Sequence, residues 1–321
     1  MVPDAGGWVG VEACEYDRSF LQLAPTGALV TNVEADHLDC YGDEEAVVQA
    51  FAEFTSRLAR TGLLVLGETE KVPQSVEDAT GARVWRLGRE LRLEAGAVTR
   101  GCHAFRLRGP GWETPSVQLA VPGEFNVQNA ALALALAVGA QEVHPAGPDL
   151  QACAAAAARG LENFQGVLRR FEHWGRDLGL DLVHDYAHHP TEVRVTLGTA
   201  RRVFPGAPLH VLFQPHQHSR TAHFLEGFVQ ALKTADRVVV ADVYGARSPI
   251  DSLVAGAEDL VRALVREGVQ AVHGGAPAQA AAAFAQELTF DTAGLVLGAG
   301  DIDRIKDDLL SRLAVRSPAP G

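Results

Sequence analysis

The sequence has few cysteines, no long apolar run and no recognisable signal peptide. Its four cysteines, Cys14, Cys40, Cys102 and Cys153, are widely spaced and form no CxxC pair, which argues against a disulfide framework or a cysteine zinc site. No apolar run approaches the roughly 18 residues that a membrane span needs. We therefore expect a cytoplasmic protein that does not associate with membranes.

Basic residues are outnumbered by acidic ones, and the net charge is -12. Such a charge repels a phosphate backbone, so no nucleic-acid partner is expected, although basic residues gathered locally could still bind a small anion. The sequence also has no P-loop pattern, GxxxxGK[ST]. No GxGxxG follows a predicted strand near an acidic ribose partner, which makes a dinucleotide oxidoreductase the least favoured enzyme class.

What the chain does contain is enough sequence for two domains of roughly 150 residues each. From about residue 168, strand-like runs alternate with helix-period segments, which predicts an open, mostly parallel sheet with helices on both faces. Strands are expected near 180–184, 209–214, 237–242, 269–273 and 294–298, and helices near 190–203, 221–233, 257–267, 276–287 and from about 301. The predicted fold class is α/β, with domains at 1–165 and 166–321.

The first domain is less regular. Strands are predicted at 8–12, 28–33 and 63–67, and helices at 44–60, 126–139 and 150–160. Between 83 and 121, short runs such as RVWRL and HAFRLR are separated by EAG and GPG turns. This pattern indicates a small antiparallel patch beside a mostly parallel sheet.

Two residues of the first domain suggest a metal site. Glu12 ends the first predicted strand, and His37 follows the second. If these strands are parallel neighbours, both side chains lie at one sheet edge, where they could share magnesium. Glu15 is a close competitor for Glu12, and solvated loop residues are the alternative interpretation for all three.

Polar residues near the predicted domain boundary could bind a nucleotide. Asn126 is a candidate N-cap for the helix at 126–139, and Asn129 lies one turn later. The alternative to capping is an amide pair that holds a purine edge. Arg169 and Arg170 could reach a phosphate, or they could be a solvated basic pair.

Seven of the twelve histidines lie between residues 184 and 223. His188 and His189 are adjacent and His216 and His218 alternate, so neither pair has the helical spacing of a zincin. Imidazoles that donate hydrogen bonds or contact anions are the better interpretation. Arg220, in the loop region after the strand at 209–214, could bind a carboxylate or diphosphate.

Several stretches together resemble the Mur ligases. They are EACEYDRSFLQLAPTGALVTNVEADHLDCYG (12–42), residues 121–138, FQGVLRRFE (164–172), HDYAHHPTEV (184–193), FQPHQHSRT (213–221), DVYGAR (242–247) and GAGDI (298–302). The resemblance spans nearly the whole chain. It implies a partial central ATPase domain over 1–165 and a Rossmann-like domain over 166–321.

The resemblance also implies a reaction in peptidoglycan biosynthesis. ATP would phosphorylate the carboxylate of UDP-N-acetylmuramate, and the amine of L-alanine would then attack the acyl phosphate, with Mg²⁺ neutralising charge. By resemblance, Glu12 and His37 bind magnesium, and Asn126, Asn129, Arg170 and Asp185 bind the nucleotide. His188, His189, His216 and Arg220 would line the substrate side.

Some family features are missing from the sequence. The uridine-binding domain and the P-loop are absent, and a truncated chain and a split gene, in which a separate N-terminal polypeptide supplies them, are both open interpretations. Gln217 stands where arginine is frequent, and a glutamate is missing just before Pro249. The alternatives are an inactive fragment that binds nucleotide or other cell-wall enzymes, and the murein-peptide recycling ligase of the same family.

Overall fold

The computed structural model describes residues 2–3, 7–141, 149–175, 178–245 and 255–315. The chain divides into two compact units. The first unit comprises residues 1–98, 103–120 and 124–164, and the second comprises 99–102, 121–123 and 165–321. Within the described ranges, no helix is long and apolar enough to cross a membrane.

The amino-terminal strands lie apart from the other sheets. Strand β1 (Val2–Pro3) pairs antiparallel with β2 (Val9–Gly10), and a 3-10 helix follows at Tyr16–Gln22. The prediction of a buried strand at 8–12 is wrong, because the side chains of Val9 and Val11 are about half exposed. The run WVGVE is apolar enough for a strand, but it joins only this two-residue ladder.

A three-stranded parallel sheet forms the centre of the first unit. Its strands, in spatial order, are β3 (Gly27–Val30), β4 (Leu63–Leu66) and β5 (Arg83–Arg86). All four residues of β4 are buried, as expected for the central strand of a parallel sheet. The helices of this unit are α1 (Leu38–Tyr41), α2 (Glu44–Ser56), α3 (Gln74–Asp78), α4 (Glu124–Gln141) and α5 (Leu150–Glu162).

The antiparallel patch is present but begins later than predicted. It contains β6 (Arg92–Thr99), β7 (Cys102–Gly109), β8 (Trp112–Glu113) and β9 (Val117–Pro122). The run RVWRL was predicted to join this patch, yet residues 83–86 form the parallel strand β5. The alternation of this run is misleading because Arg86 is buried, where its guanidinium pairs with Glu77 and donates to the Val72 carbonyl.

The second unit contains a six-stranded sheet. Its strands are β10 (Glu172–His173), β11 (Asp181–Asp185), β12 (Leu209–Phe213), β13 (Arg237–Ala241), β14 (Gln270–Gly275) and β15 (Ala293–Leu297), in the spatial order β10-β11-β15-β12-β13-β14. All pairs are parallel except β10 with β11. The predicted parallel sheet is confirmed, whereas the antiparallel edge strand β10 was not predicted.

Helices cover this sheet and connect its strands. They are α6 (Pro190–Val203), α7 (His218–His223), α8 (Leu225–Leu232), α9 (Ala257–Arg266), α10 (Pro277–Glu287) and α11 (Lys306–Ala314), the last preceded by a 3-10 turn at Ile302–Ile305. The single helix predicted at 221–233 is instead two helices that meet at Phe224. The strand and helix alternation confirms the α/β fold class.

Successive residues of each parallel strand face opposite sides of the sheet and enter different cores. Val183 and Val211 belong to one buried cluster, whereas their neighbours Leu182 and Leu212 belong to another. Two apolar faces explain why these strands read as continuous hydrophobic runs. Because the strands are parallel, the polar residues after them gather at one edge of the sheet.

Candidate active site

The carboxyl ends of three neighbouring strands are held in register at this edge. Asp185, the last residue of β11, pairs with Leu297 of β15, which in turn pairs with Phe213 of β12. The Gly298 amide donates to the Asp185 carbonyl at 3.1 Å, and the Gln214 amide donates to the Leu297 carbonyl at 2.9 Å. The loops that leave these strands therefore start from a fixed frame.

Asp185 ties two of these loops together. One carboxylate oxygen accepts the amide of Phe171 at 2.8 Å, and the other accepts the amide of Ala187 at 2.9 Å. The residue is only 4% exposed. Burial disfavours the ionised form and raises the pKa of Asp185 to about 6, against the lowering effect of the two amide donors and of Arg170.

Two guanidinium groups flank the ring of Tyr186. The guanidinium carbon of Arg169 lies 4.5 Å from the ring centroid and that of Arg170 lies 5.4 Å from it. The Tyr186 amide donates to the Arg169 carbonyl at 2.7 Å, which fixes the two segments against each other. Arg170, about half exposed, keeps a cation beside Asp185 at the strand ends, where an anionic ligand could meet it.

The two adjacent histidines have different roles in the structure. His189 is the N-cap of α6, with its Nδ1 3.4 Å from the Thr191 amide, and its ring packs edge-on against Phe224. His188 instead lies beside the Tyr186 ring, with its Nδ1 3.0 Å from the Tyr186 carbonyl oxygen. Pro190 is the first helical residue, as the sequence predicts.

His188 belongs to a chain of ring contacts that continues through the loop after β12. Its ring centroid lies 5.8 Å from that of His216, which stacks on Tyr244 at 5.4 Å. Arg220, only 7% exposed, places a guanidinium nitrogen 3.4 Å from His216 Nδ1. The structure thus brings His188, His216 and Arg220 together, which is the grouping that the resemblance implies for the substrate side.

The residue that replaces the frequent arginine, Gln217, has a backbone role. It adopts a left-handed conformation with φ of 66°, and its amide donates to the Tyr244 carbonyl at 2.9 Å. It is 8% exposed, so its side chain lies mostly inside the protein. Residues 246–254, which include the position before Pro249, lie outside the described residues.

Gln214 is a site residue that sequence reasoning missed. Its side-chain nitrogen donates to Asp301 at 2.8 Å, and its side-chain oxygen accepts the Ile302 amide at 3.0 Å. A Cβ atom at Gly300 would come within 2.5 Å of the Gln214 oxygen and 2.6 Å of the Tyr244 ring. The GAGD loop therefore needs glycine at position 300 because of close packing. The signal that could have identified Gln214 in the sequence was its position as a polar residue immediately after an apolar strand.

In the first unit, His37 meets Glu15 rather than Glu12. His37 Nε2 lies 3.4 Å from a carboxylate oxygen of Glu15 and 3.9 Å from one of Asp36, whereas Glu12 is exposed. The hydrogen bond from His37 outweighs burial and lowers the pKa of Glu15. The neighbouring-strand argument for Glu12 and His37 is wrong, because β2 pairs with β1 and β3 pairs with β4.

The acid and histidine residues of this region have the chemistry of a magnesium site with few protein ligands. Across the described ranges, no group of three or more histidine, cysteine, aspartate or glutamate side chains is arranged to hold a metal. Mg²⁺, however, is usually bound through one or two carboxylates and keeps several waters. The carboxylates of Glu15 and Asp36 lie beside His37 Nε2 and would orient the ring rather than bind the ion. A hydrated ion held by His37 would then need one further carboxylate, for which Glu12 is the exposed candidate.

Asn126 and Asn129 lie inside a helix. Helix α4 begins at Glu124, directly after Gly123, whose φ is 104°. The prediction of Asn126 as N-cap is therefore wrong: the glycine turn sets the start of the helix, and an acidic residue occupies its first turn. Asn126 is half-buried and Asn129 is exposed one turn later.

Comparison with known families covers both units. The model of the Mur ligase middle domain matches residues 10–137, and that of the Mur ligase, glutamate ligase domain matches residues 169–300. The chain is 41% identical to the UDP-N-acetylmuramate--L-alanine ligase of Kineococcus radiotolerans, over 98% of this chain and 65% of that protein. The ligase of the same name from Saccharopolyspora erythraea is 39% identical, over 98% of this chain and 64% of its own length.

Solved structures agree with this comparison. The UDP-N-acetylmuramate-alanine ligase of Thermotoga maritima superposes with a TM-score of 0.67 at 26% identity, covering 93% of this chain and 62% of that one. A murein peptide ligase from Psychrobacter arcticus has a TM-score of 0.63 at 19% identity, over 92% of this chain and 59% of its own, which is a likeness of fold alone. The chain spans 64–65% of the length of the two curated relatives.

Proposed function

The chain belongs to the Mur ligase family, and we propose that it catalyses the ATP-dependent addition of L-alanine to UDP-N-acetylmuramate. The observation that carries this proposal is identity of 41% and 39% to alanine ligases across 98% of the chain. The murein-peptide ligase alternative has only a likeness of fold in its favour. We also propose a cytoplasmic location, because ATP and the nucleotide-linked substrate are found there.

The proposed reaction has two steps. A carboxylate oxygen of the muramic acid attacks the γ-phosphorus of ATP, which releases ADP and leaves an acyl phosphate. The amine of L-alanine then attacks the acyl carbon, the bond to the phosphate oxygen breaks, and the amine loses a proton. Negative charge develops on oxygen atoms in the transition states of both steps. Cations that the folded protein already holds in position therefore stabilise these transition states.

We assign the substrate side of the reaction to the second unit. Arg220 and His216 would stabilise the negative oxygens of the acyl phosphate. Arg220 is buried and contacts His216, so its guanidinium is already in position before the charge develops. His188 and His189 would lie where the amine arrives. Arg170 would contact a phosphate, and Asp185 would contact the ribose while its carboxylate holds residues 171 and 187.

We assign part of the nucleotide and metal binding to the first unit. Asn126 and Asn129 would hold the adenine edge by donating and accepting hydrogen bonds. Glu12 and His37 would hold Mg²⁺, with Glu15 orienting His37 through the contact at 3.4 Å. When bound, the ion would neutralise phosphate charge.

Because the chain spans 64–65% of the length of the two curated relatives and contains no GxxxxGK[ST] pattern, the test supplies a P-loop domain from a related ligase. The test is phosphate release from ATP with Mg²⁺, UDP-N-acetylmuramate and L-alanine, by the chain alone and with an added P-loop domain of a related ligase. Release that needs all three substrates and the added domain is expected, with a product heavier by one alanine residue. Release that ignores UDP-N-acetylmuramate, or a preference for murein peptide over L-alanine, would contradict the proposal.

Activity of the chain without the added domain would mean that the reaction does not need this domain, and the proposed reaction would stand. Inactivity of both preparations would favour a chain that binds nucleotide without turnover. Equilibrium dialysis with ATP distinguishes this outcome from a misfolded sample. These experiments distinguish the proposed reaction, the need for the added domain and the binding alternative from one another.

A further inference from the structure

Glu192 has more contacts than its place in the helix requires. It is the third residue of α6, and one carboxylate oxygen accepts the amides of His188 at 2.9 Å and His189 at 3.1 Å. The His189 side chain in turn accepts a backbone amide of the first turn. This reciprocal arrangement is a capping box, which stabilises the start of a helix. On this ground alone, Glu192 would be a purely structural residue.

Helix α10 of the same unit shows that this cap does not need a charge. There Gln279 occupies the corresponding third position, and its side-chain oxygen accepts the Ala276 amide at 3.2 Å. A neutral amide therefore satisfies the same backbone donor. The negative charge of Glu192 calls for a second explanation.

That charge faces two groups of the candidate active site. The oxygen that accepts the two amides also lies 3.2 Å from His188 Nδ1, and the other oxygen lies 3.5 Å from a guanidinium nitrogen of Arg170. Burial raises the pKa of Glu192, but His188, Arg170 and the two amides together bring it below its ordinary value. Glu192 is thus an anion that links the histidine to the arginine.

The surroundings of His188 also select one form of its ring. Nδ1 has two acceptors within reach, the Tyr186 carbonyl at 3.0 Å and the Glu192 carboxylate at 3.2 Å. A neutral imidazole with two acceptors at Nδ1 carries its proton there, which makes Nε2 the basic nitrogen. Among the described residues, Tyr186 and His216 contact this ring, Arg170 lies beyond Glu192, and Arg220 lies behind His216.

We propose that Glu192 is a positioning residue that holds His188 with its proton on Nδ1, so that Nε2 accepts the proton of the attacking amine. As the C–N bond forms and the bond to phosphate breaks, the amine proton passes to Nε2 and the resulting imidazolium is stabilised by Glu192. The catalytic part of this inference rests on the proposed function. The link between Glu192 and the tautomer of His188 does not.

The test is ¹⁵N NMR of the histidine-labelled chain, with His188→Gln used to identify the His188 signals. At pH values above its titration midpoint, where the ring is neutral, wild-type His188 should carry its proton on Nδ1. In Glu192→Gln the midpoint of His188 should fall by about one pH unit, because a negative charge at hydrogen-bond distance is removed. Asp259→Asn is the matched control, since Asp259 caps α9 from the same helical position away from His188.

Kinetics of the ligase reaction provide the second readout. Glu192→Gln should lower kcat about 100-fold, the scale of a general base, with a small change in KM for L-alanine and a shifted pH profile. Glu192→Asp, which keeps the charge, should recover part of the rate. An unchanged His188 midpoint and tautomer in Glu192→Gln would overturn the inference.

The two proposals fail separately. If no ligase activity is found but the His188 signals shift as expected, the proposed function fails and the coupling of Glu192 to His188 stands. If the reaction proceeds and Glu192→Gln matches wild type in rate and pH profile, the positioning role is wrong. If Glu192 only caps its helix, Glu192→Gln and Asp259→Asn should change the His188 midpoint and the ligase rate to the same extent.

Discussion

The strand-end cluster of the second unit and the acid–histidine loop of the first unit differ in how their residues are held. The cluster, Asp185, Tyr186, His188, Glu192, His216, Arg220 and Tyr244, is linked by hydrogen bonds and ring contacts. In the loop, Glu15, Asp36 and His37, the side-chain contacts of 3.4 and 3.9 Å join partly exposed groups, and the His37 amide donates to the Asp36 carboxylate at 2.7 Å. A site at the end of a parallel sheet inherits its geometry from the strands, whereas a loop site depends on local backbone.

This difference predicts that the cluster is more sensitive to substitution than the loop. Arg220→Ala should lower the ligase rate by about 100-fold to 1000-fold, the usual loss when a preorganised donor to a developing anion is removed. Arg220→Lys should stay well below wild type, because it keeps the charge without the planar fork. The measurement is steady-state phosphate release, with the exposed Arg266→Ala of α9 as control.

If the ligase rate of Arg220→Ala is within a few-fold of that of Arg266→Ala, the claim that the strand-end cluster is especially sensitive to substitution is wrong. The buried guanidinium would then be a structural group. Its contact with His216 would have no catalytic consequence.

The second prediction concerns the pH dependence of stability. The raised pKa of Asp185, about 6 against an ordinary 3.8, means that the folded chain keeps this proton at pH values where the unfolded chain has lost it. Its stabilising contribution is therefore complete below about pH 4 and is lost as the pH rises to 6. Asp185→Asn removes this dependence, so the difference in unfolding free energy between the two proteins should change by about 3 kcal/mol at most.

Urea unfolding of wild type and Asp185→Asn at several pH values between 4 and 7 measures this difference. Any hydrogen bond lost in Asp185→Asn shifts its curve by a constant amount and leaves the slope unaffected. Parallel curves would mean that Asp185 titrates normally in the folded chain.

The third prediction sharpens the description of the loop. Glu15→Gln should raise the Mg²⁺ concentration needed for half-maximal rate about 10-fold, as expected for a residue that orients a metal ligand. Glu12→Gln and His37→Ala should raise it further, since they remove the proposed ligands. If Glu15→Gln raises this Mg²⁺ concentration more than Glu12→Gln does, Glu15 is the metal ligand and Glu12 is not.

The smallest expected effect lies outside both regions. Asp43 caps α2 by accepting the Ala46 amide at 2.8 Å. Asp43→Ala should cost about 1 kcal/mol of stability, measured by urea unfolding, and leave the ligase rate unchanged. Asp43→Ser should restore most of the stability, and a rate loss in Asp43→Ala would mean that the first unit is coupled to catalysis more tightly than its loop suggests.

The same contrast explains which features could be predicted from the sequence. The start of α6 was predictable because proline is favoured at the first helical position and disrupts a helix when it lies in the interior. The parallel strands of the second unit were predictable from their continuous apolar runs. Residues after such strands reach one edge by topology, which agrees with the grouping of His188, His216 and Arg220 that the resemblance implied.

Features decided by local geometry could not be predicted in this way. His37 has a left-handed backbone with φ of 53°, which no periodicity indicates, and it turns toward Glu15. The break between α7 and α8 depends on Phe224, whose ring packs against His189. The capping box of His189 and Glu192 was missed because histidine is not a usual N-cap residue.

The most direct test of the central claim is the fate of oxygen in the substrate carboxylate. UDP-N-acetylmuramate labelled with ¹⁸O in this group is incubated with ATP, Mg²⁺, L-alanine and the chain together with the added P-loop domain, and the released phosphate is analysed by mass spectrometry. Transfer through an acyl phosphate predicts one ¹⁸O atom in each phosphate. Unlabelled phosphate would mean that water, not the carboxylate, attacks ATP, and it would contradict the assignment of this chain as an amino-acid ligase.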